Sequence, residues 1–149
     1  MQIKPIEERN RDTLDRLVEI WKSAVVETHT FLSEADIVAI EPEVKPGLEG
    51  IESLFGFYDD SHTLQGFIGV ENQKIEMLFI DAACRGRGAS KQLVNYAVTH
   101  LQAEYVDVNE QNGQGVGFYD HMGFQRINRS ERDEQGRPFP ILHLKLNPK

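Results

Sequence analysis

The stretch RGRGAS, Arg85 to Ser90, puts two glycines where a β-type run ends and a helical pattern begins. Glycines there let successive main-chain N–H groups converge on an anion, and a helix start adds a field that favours phosphate, so a pyrophosphate site is the functional reading of this bend. A tight turn without any ligand explains the same two glycines. A dinucleotide fold is a third reading, because Asp107 follows the G-x-G by about 20 residues, as a ribose-binding acid would. Its details argue against it. Lys91 occupies the third-glycine position, where helix–sheet packing demands Gly or Ala, and three strand-like runs precede the bend instead of one. NGQGVG, Asn112 to Gly117, fails the same fingerprint, and no G-x-x-x-x-G-K-[ST] run for a nucleotide triphosphate occurs. His62, His100, His121 and His143 show no ligand spacing and no accompanying carboxylate cluster, so no metal is expected.

The elements that must carry these residues are legible from periodicity. Leu14, Leu17, Val18, Trp21, Ala24 and Val25 line one face of a helix over 12–28, capped by Asn10 or Asp12. Pro42, Pro46 and Gly47 interrupt the next helical stretch, residues 33–53, and predict two short helices. Strand patterns at 54–58, 64–70 and 75–81, separated by turn residues, predict an antiparallel meander. Beyond the glycine bend, Leu93, Val94, Ala97, Val98 and Leu101 fall in helical register, and 105–109 reads as a strand. That order is a βαβ unit with parallel strands. A helix from about Asn112 to Met122, a strand from Phe124, a turn at Asp133 to Gly136 and a last strand over 139–146 complete the chain. The final strand, taken as an edge, offers a pairing surface for a second copy, so a homodimer is an expected arrangement.

Composition bounds the function classes. The chain has 149 residues, 40% hydrophobic and 27% charged, which suits one domain spanning 1–149. Its formal charge of −8 opposes the attraction to a phosphate backbone that nucleic-acid binding needs. Cys84 is the single cysteine, so no intramolecular disulfide and no cysteine zinc cluster can form. The start, MQIKPIEERNRD, lacks a secretory apolar core, and no window reaches the length of a membrane-spanning helix. A cytoplasmic protein is expected, with no nucleic acid and no membrane among its partners.

LFIDAACRGRGASKQLV followed by NEQNGQGVGFYDHMGF resembles two successive motifs of the GNAT N-acetyltransferase superfamily. The first is similar to its R-x-x-G-x-G/A acetyl-CoA loop. The second is similar to its N-x-x-A-x-x-F-Y-x-x-x-G-F segment, here Asn112, Gly115, Phe118, Tyr119, Gly123 and Phe124. IWKSAVVETHTFL, Ile20 to Leu32, further resembles a bacterial branch of the same superfamily. The chain departs from the pattern at Ala82, where Pro is common, at Ser90, which replaces Gly or Ala, and at Gly115, which replaces Ala. Gly113, Gly115 and Gly117 should each weaken their helix by about 1 kcal/mol relative to Ala, and close approach of the backbone to a cofactor is one reason to keep them.

The resemblance implies an α/β (α+β) GNAT-like fold: a central mixed sheet of about six to seven strands flanked by about four helices. An antiparallel meander is followed by a parallel βαβ pair that splays to admit acetyl-CoA. It implies acetyl-CoA as cosubstrate, its pyrophosphate on the amides of Arg85, Gly86, Arg87, Gly88, Ala89 and Ser90. The pantetheine arm then lies along Leu78, Phe79 and Ile80, with Asn112 and Phe118 beside it, and strand amides polarise the thioester. Presenting a primary amine neutral at pH 7 costs about 4.6 kcal/mol, so a base or a desolvating pocket must help. Tyr119 is the implied acid for the departing thiolate, against a purely packing role. Asp107, on a strand face with Tyr105 and Asn109, and Glu76, read by alternation as sharing a face with Leu78 and Ile80, are the candidate bases. Lys74 stands where some members carry a glutamate base. Trp21, His29 and Phe31 are the implied acceptor-pocket residues, and Cys84 reads as an incidental thiol.

The expected activity is transfer of acetyl from acetyl-CoA to a small amine or protein amine in a ternary complex. The competing expectation is a catalytically silent acyl-CoA-binding sensor, with a nicotinamide-dependent oxidoreductase a distant third.

Overall fold

The computed structural model describes residues 2–148. A seven-stranded mixed sheet runs in the order β1-β2-β3-β4-β5-β7-β6. The strands are β1 (Gln2–Pro5), β2 (Ser53–Tyr58), β3 (Leu64–Glu71), β4 (Lys74–Ile80), β5 (Tyr105–Asn109), β6 (Phe124–Ser130) and β7 (Ile141–Leu146). The helices are α1 (Arg11–Thr28), α2 (Glu34–Ile40), α3 (Val44–Gly50), α4 (Ala89–His100) and α5 (Gly113–His121). The expected meander is present as β2-β3-β4, and the βαβ unit as β4-α4-β5 with parallel strands.

Local chemistry sets the helix ends. Asn10 caps α1 by accepting from the Thr13 amide at 3.0 Å, and Leu14, Leu17, Ile20, Trp21, Ala24 and Val25 form its buried face. Ser33 and Asp36 form a capping box on α2. Pro42 then opens a single 3-10 turn, Glu41–Glu43, ahead of α3, where a missing N–H costs nothing. Arg9 closes the far end of α3 by donating to the carbonyls of Leu48 and Ile51 at 2.9 and 2.6 Å.

Two cores sandwich the sheet. α1, α2 and α3 cover one face through Leu17, Ile20, Leu48, Leu54 and Phe67, and α4 and α5 cover the other through Ile68, Leu93, Val94, Ala97, Val106 and Phe124. β3 is buried along nearly its whole length because both its faces are covered.

Three features depart from the sequence expectation. β1 is an extra edge strand on β2, unannounced because its residues are mostly exposed and it ends in proline, which an edge tolerates. β7 is no edge: it lies between β5 and β6, so the free edges are β1 and β6. Finally, Gly69 pairs Met77 while Val70 pairs Ile75, which leaves Glu76 as the extra residue of a β-bulge. The bulge breaks the alternation assumed for Glu76. Ile75, Leu78 and Ile80 pack in the α4 core, Met77 and Phe79 pack toward α1, and Glu76 reaches Lys74 instead of sharing the Leu78 and Ile80 face.

Candidate active site

β4 and β5 pair only at Lys74 with Tyr105 and Ile75 with Val106, and then part. β5 spends its other edge on β7 from end to end, so nothing fills the gap on its β4 side. The opening is a cleft of about 350 Å³, lined by the end of α1, by β4 from Ile75 to Ile80, by β5 and by the start of α5. At its mouth a second cavity of about 210 Å³ is formed by Ile80, Cys84 and the glycine loop.

The loop that follows β4 turns through two left-handed glycines. Gly86 and Gly88 have φ of +83° and +76°, a left-handed conformation that L side chains rarely adopt, and Gly88 is the residue before α4. Gly86, Gly88 and Ala89 line the smaller cavity. Arg85 braces the loop, donating to Gln114 Oε1 of α5 at 2.7 Å and lying 3.7 Å from Glu27 of α1. The Arg87 side chain is exposed and lines neither cavity. Burial pushes the Cys84 thiol up, with Asp81 adding to the effect, which suits an inert thiol.

Leu78, Phe79, Ile80, Arg85, Ser90, Asn112, Phe118, Tyr119, Asp107, Glu76 and His29 all line the main cleft, and Gly86, Gly88 and Ala89 line the smaller cavity. Asn112 is the cap of α5, accepting from the Gly115 amide at 3.1 Å. A Cβ on Gly115 would meet the Asn112 side-chain amide nitrogen at 2.5 Å, so this glycine makes room for its own cap; a Cβ on Gly113 or Gly117 would meet nothing within 4 Å beyond its own stretch of backbone. Tyr119 is 7% exposed and packs edge-on against Phe118 and Phe124. Burial raises its phenol well above the usual range, and its hydroxyl makes no hydrogen bond among the described residues.

Trp21 does not belong here. It is 6% exposed, packed in the core between α1 and the sheet, and reaches neither cavity. Its place on the apolar face of α1, one turn before Ala24 and Val25, already carried that signal. Phe31 stands at the rim, its ring 5.4 Å from His29 and 5.8 Å from Phe139 of the β6–β7 loop. That loop is anchored to the segment before α3 by an Arg137–Glu43 ion pair at 3.1 Å.

His29 has a defined tautomer. The Thr28 hydroxyl donates to the Ala24 carbonyl at 2.8 Å, so it can only accept from His29 Nδ1, also at 2.8 Å. Nδ1 therefore carries the ring proton and Nε2 keeps a lone pair. Burial draws the imidazole down to about 4, which keeps it neutral at pH 7.

The carboxylates form one cluster around Lys74. Lys74 Nζ lies 2.7 Å from Asp107, 3.5 Å from Glu76 and 4.0 Å from Glu134. Burial works to lower the ammonium, but the Asp107 bond and the neighbouring carboxylates outweigh it and hold Lys74 above its ordinary value. Burial also raises Glu76, and the Glu134 and Asp107 charges reinforce it against the opposing pull of Lys74. Asp107 additionally binds His143, which the sequence reading did not connect to the site. The alternation of Leu142, His143 and Leu144 shows that His143 leaves the core face, but only the β5–β7 register puts it opposite Asp107. Among the described residues no group of His, Cys, Asp and Glu could hold a metal ion, and no helix is long and apolar enough to cross a membrane.

Residues 30–145 match the family model of the acetyltransferase (GNAT) domain. The peptidyl-lysine N-acetyltransferase YjaB of Salmonella typhimurium is 38% identical over 130 residues, covering 87% of this chain and 89% of its own length. The solution structure of apo-form YjaB from Escherichia coli superposes with a TM-score of 0.87 at 34% identity over 100% of both chains. The PaiA N-acetyltransferase of Thermoplasma acidophilum, solved in complex with coenzyme A, shares the fold at a TM-score of 0.70 and 22% identity, over 97% of this chain and 99% of its own.

Proposed function

Because the chain belongs to the GNAT acetyltransferase family and is by that membership an acyltransferase, we propose that it moves acetyl from acetyl-CoA to a lysine side-chain amine by direct transfer. The parting of β4 and β5 beside the left-handed glycines carries this reading, because it joins a free strand edge to an anion cradle. The peptidyl-lysine acetyltransferase name of a relative 38% identical over most of both chains supports lysine as the acceptor. A single cysteine and an acidic surface suit a reducing cytoplasmic setting.

The chain's groups fit that cosubstrate. The amides of residues 85–90 would hold the pyrophosphate, and main-chain groups of Leu78, Phe79 and Ile80 facing away from β3 would hold the pantetheine arm. Bound there, acetyl-CoA supplies an acyl thioester whose carbonyl the β4 amides can polarise. Glu76 is the better of the two candidate bases. Burial raises its proton affinity, whereas both oxygens of Asp107 are already engaged. His29 Nε2 would accept from the incoming amine and orient it, and Phe31 with Phe139 would flank the aliphatic stem. Tyr119 keeps its proton at working pH. A phenol so raised donates weakly, so its contribution is a hydrogen bond to the departing sulfur as charge grows there.

Thiol release from acetyl-CoA, followed with lysine peptides, a polyamine, an aminoglycoside and free amino acids, tests the reading. Release with lysine peptides, and acetyl-lysine in the product by mass spectrometry, is the expected result. Cofactor binding with no release for any acceptor would replace the enzyme by an acyl-CoA sensor.

A further inference from the structure

Behind Glu76 runs a chain of polar contacts that acetyl transfer does not itself demand. Asp107 lies opposite His143 in the β5–β7 register, and its Oδ1 accepts from His143 Nδ1 at 2.8 Å while Oδ2 takes Lys74 Nζ at 2.7 Å. A carboxylate only accepts, so Nδ1 carries a proton, and the other ring nitrogen, Nε2, is hydrogen-bonded to the Ser130 hydroxyl at 2.6 Å. Lys74 and His143 therefore both donate to Asp107. Lys74 and Glu76 stand two residues apart on β4, with Nζ 3.5 Å from Oε1, so Glu76 is the nearest alternative partner of that ammonium. The groups facing Glu76 are Lys74 from its own strand, Asp107 from β5 and Glu134 from the β6–β7 loop. His29 at the end of α1 lines the same cleft and is neutral.

We infer that Asp107, braced by His143 and Ser130, draws the Lys74 ammonium to 2.7 Å from itself and keeps it at 3.5 Å from Glu76, which weakens its pull on Glu76 and lets Glu76 accept a proton from the acceptor amine. Asp107, His143 and Ser130 are positioning residues that act through Lys74. An ammonium released onto Glu76 would stabilise its ionised form and weaken it as a base, because an opposite charge within a few ångströms favours ionisation. This rests on Glu76 being the base of the proposed reaction.

The test reads Glu76 twice in the full-length chain, by an NMR titration of its carboxyl carbon and by the acidic limb of the kcat/KM profile against pH. Asp107→Asn should move both downward by about one pH unit and lower kcat/KM at pH 7 by about threefold, as Brønsted behaviour with an intermediate coefficient gives. Lys74→Met should move both upward, and the double variant should reverse the Asp107→Asn shift. Ser130→Ala should move both in the Asp107→Asn direction by less. An unmoved Glu76 titration in Asp107→Asn, or a double variant no different from Asp107→Asn, overturns the proposal. Full activity in Glu76→Gln would instead remove the base role and its catalytic consequence, while the titration shifts would still establish the electrostatic hold.

Discussion

At the scale of single residues, the site depends on groups whose protons are placed by their neighbours. Tyr119 is a buried phenol that lines the cleft, its hydroxyl making no hydrogen bond among the described residues. Tyr119→Phe removes that one hydrogen and keeps the edge-on packing. We expect kcat to fall by about tenfold to a hundredfold with the coenzyme A dissociation constant unchanged, read by initial rates and calorimetry. Thr28, which lines the cleft beside His29, fixes the tautomer of that ring. Thr28→Val leaves the shape but frees the tautomer, so nitrogen NMR should show proton density moving toward Nε2. KM for the acceptor should rise severalfold with KM for acetyl-CoA unmoved, and Thr28→Ser should restore both.

At the scale of elements, glycines that look alike in the sequence do different work. Gly88 is left-handed at the start of α4, so Gly88→Ala forces a strained backbone into the anion cradle. Coenzyme A affinity should drop by about tenfold in calorimetry. Gly117 lies inside α5 with open space around its Cα. Gly117→Ala should raise stability by up to about 1 kcal/mol in urea unfolding and leave coenzyme A affinity as it was. The β4 bulge shows why strand alternation alone misplaces Glu76: one unpaired residue exchanges the two faces beyond it. The same limit applies to Trp21. Helical periodicity correctly places it on the buried face of α1, and the resemblance assigned it to a pocket that lies elsewhere.

At the scale of the whole molecule, Asp81 ties α1 to the end of β4. It accepts from Arg16 at 3.0 Å and Ser23 at 3.2 Å and caps the turn through the Ala83 amide. Burial would raise its carboxyl, but those donors outweigh burial and hold it below the ordinary value. A carboxyl lowered on folding contributes its full stability above its unfolded value of about 3.9 and loses it as pH falls through the folded value. Asp81→Asn should therefore cost about 2 kcal/mol at pH 7, and the gap from the unsubstituted protein should narrow below about pH 4. Urea midpoints at pH 7 and pH 3 check both statements.

What the chain announces by itself is whatever depends on near neighbours. The cap of α1, the meander turns, the βαβ order and the glycine loop before α4 all follow from residue types within a few positions of one another. Leu78, Phe79, Ile80, Arg85, Ser90, Asn112, Phe118 and Tyr119 are assigned to the cofactor and its chemistry by the family resemblance, and the fold brings them to one cleft. The rest needed distant strands to meet. Only the fold seats β7 between β5 and β6, bringing His143 and Ser130 behind Asp107, and only the bulge turns Glu76 toward Lys74. Local sequence sets each backbone's preference, whereas register, crossover and bulge are settled by how two cores pack on one sheet, and those decide which charges face one another.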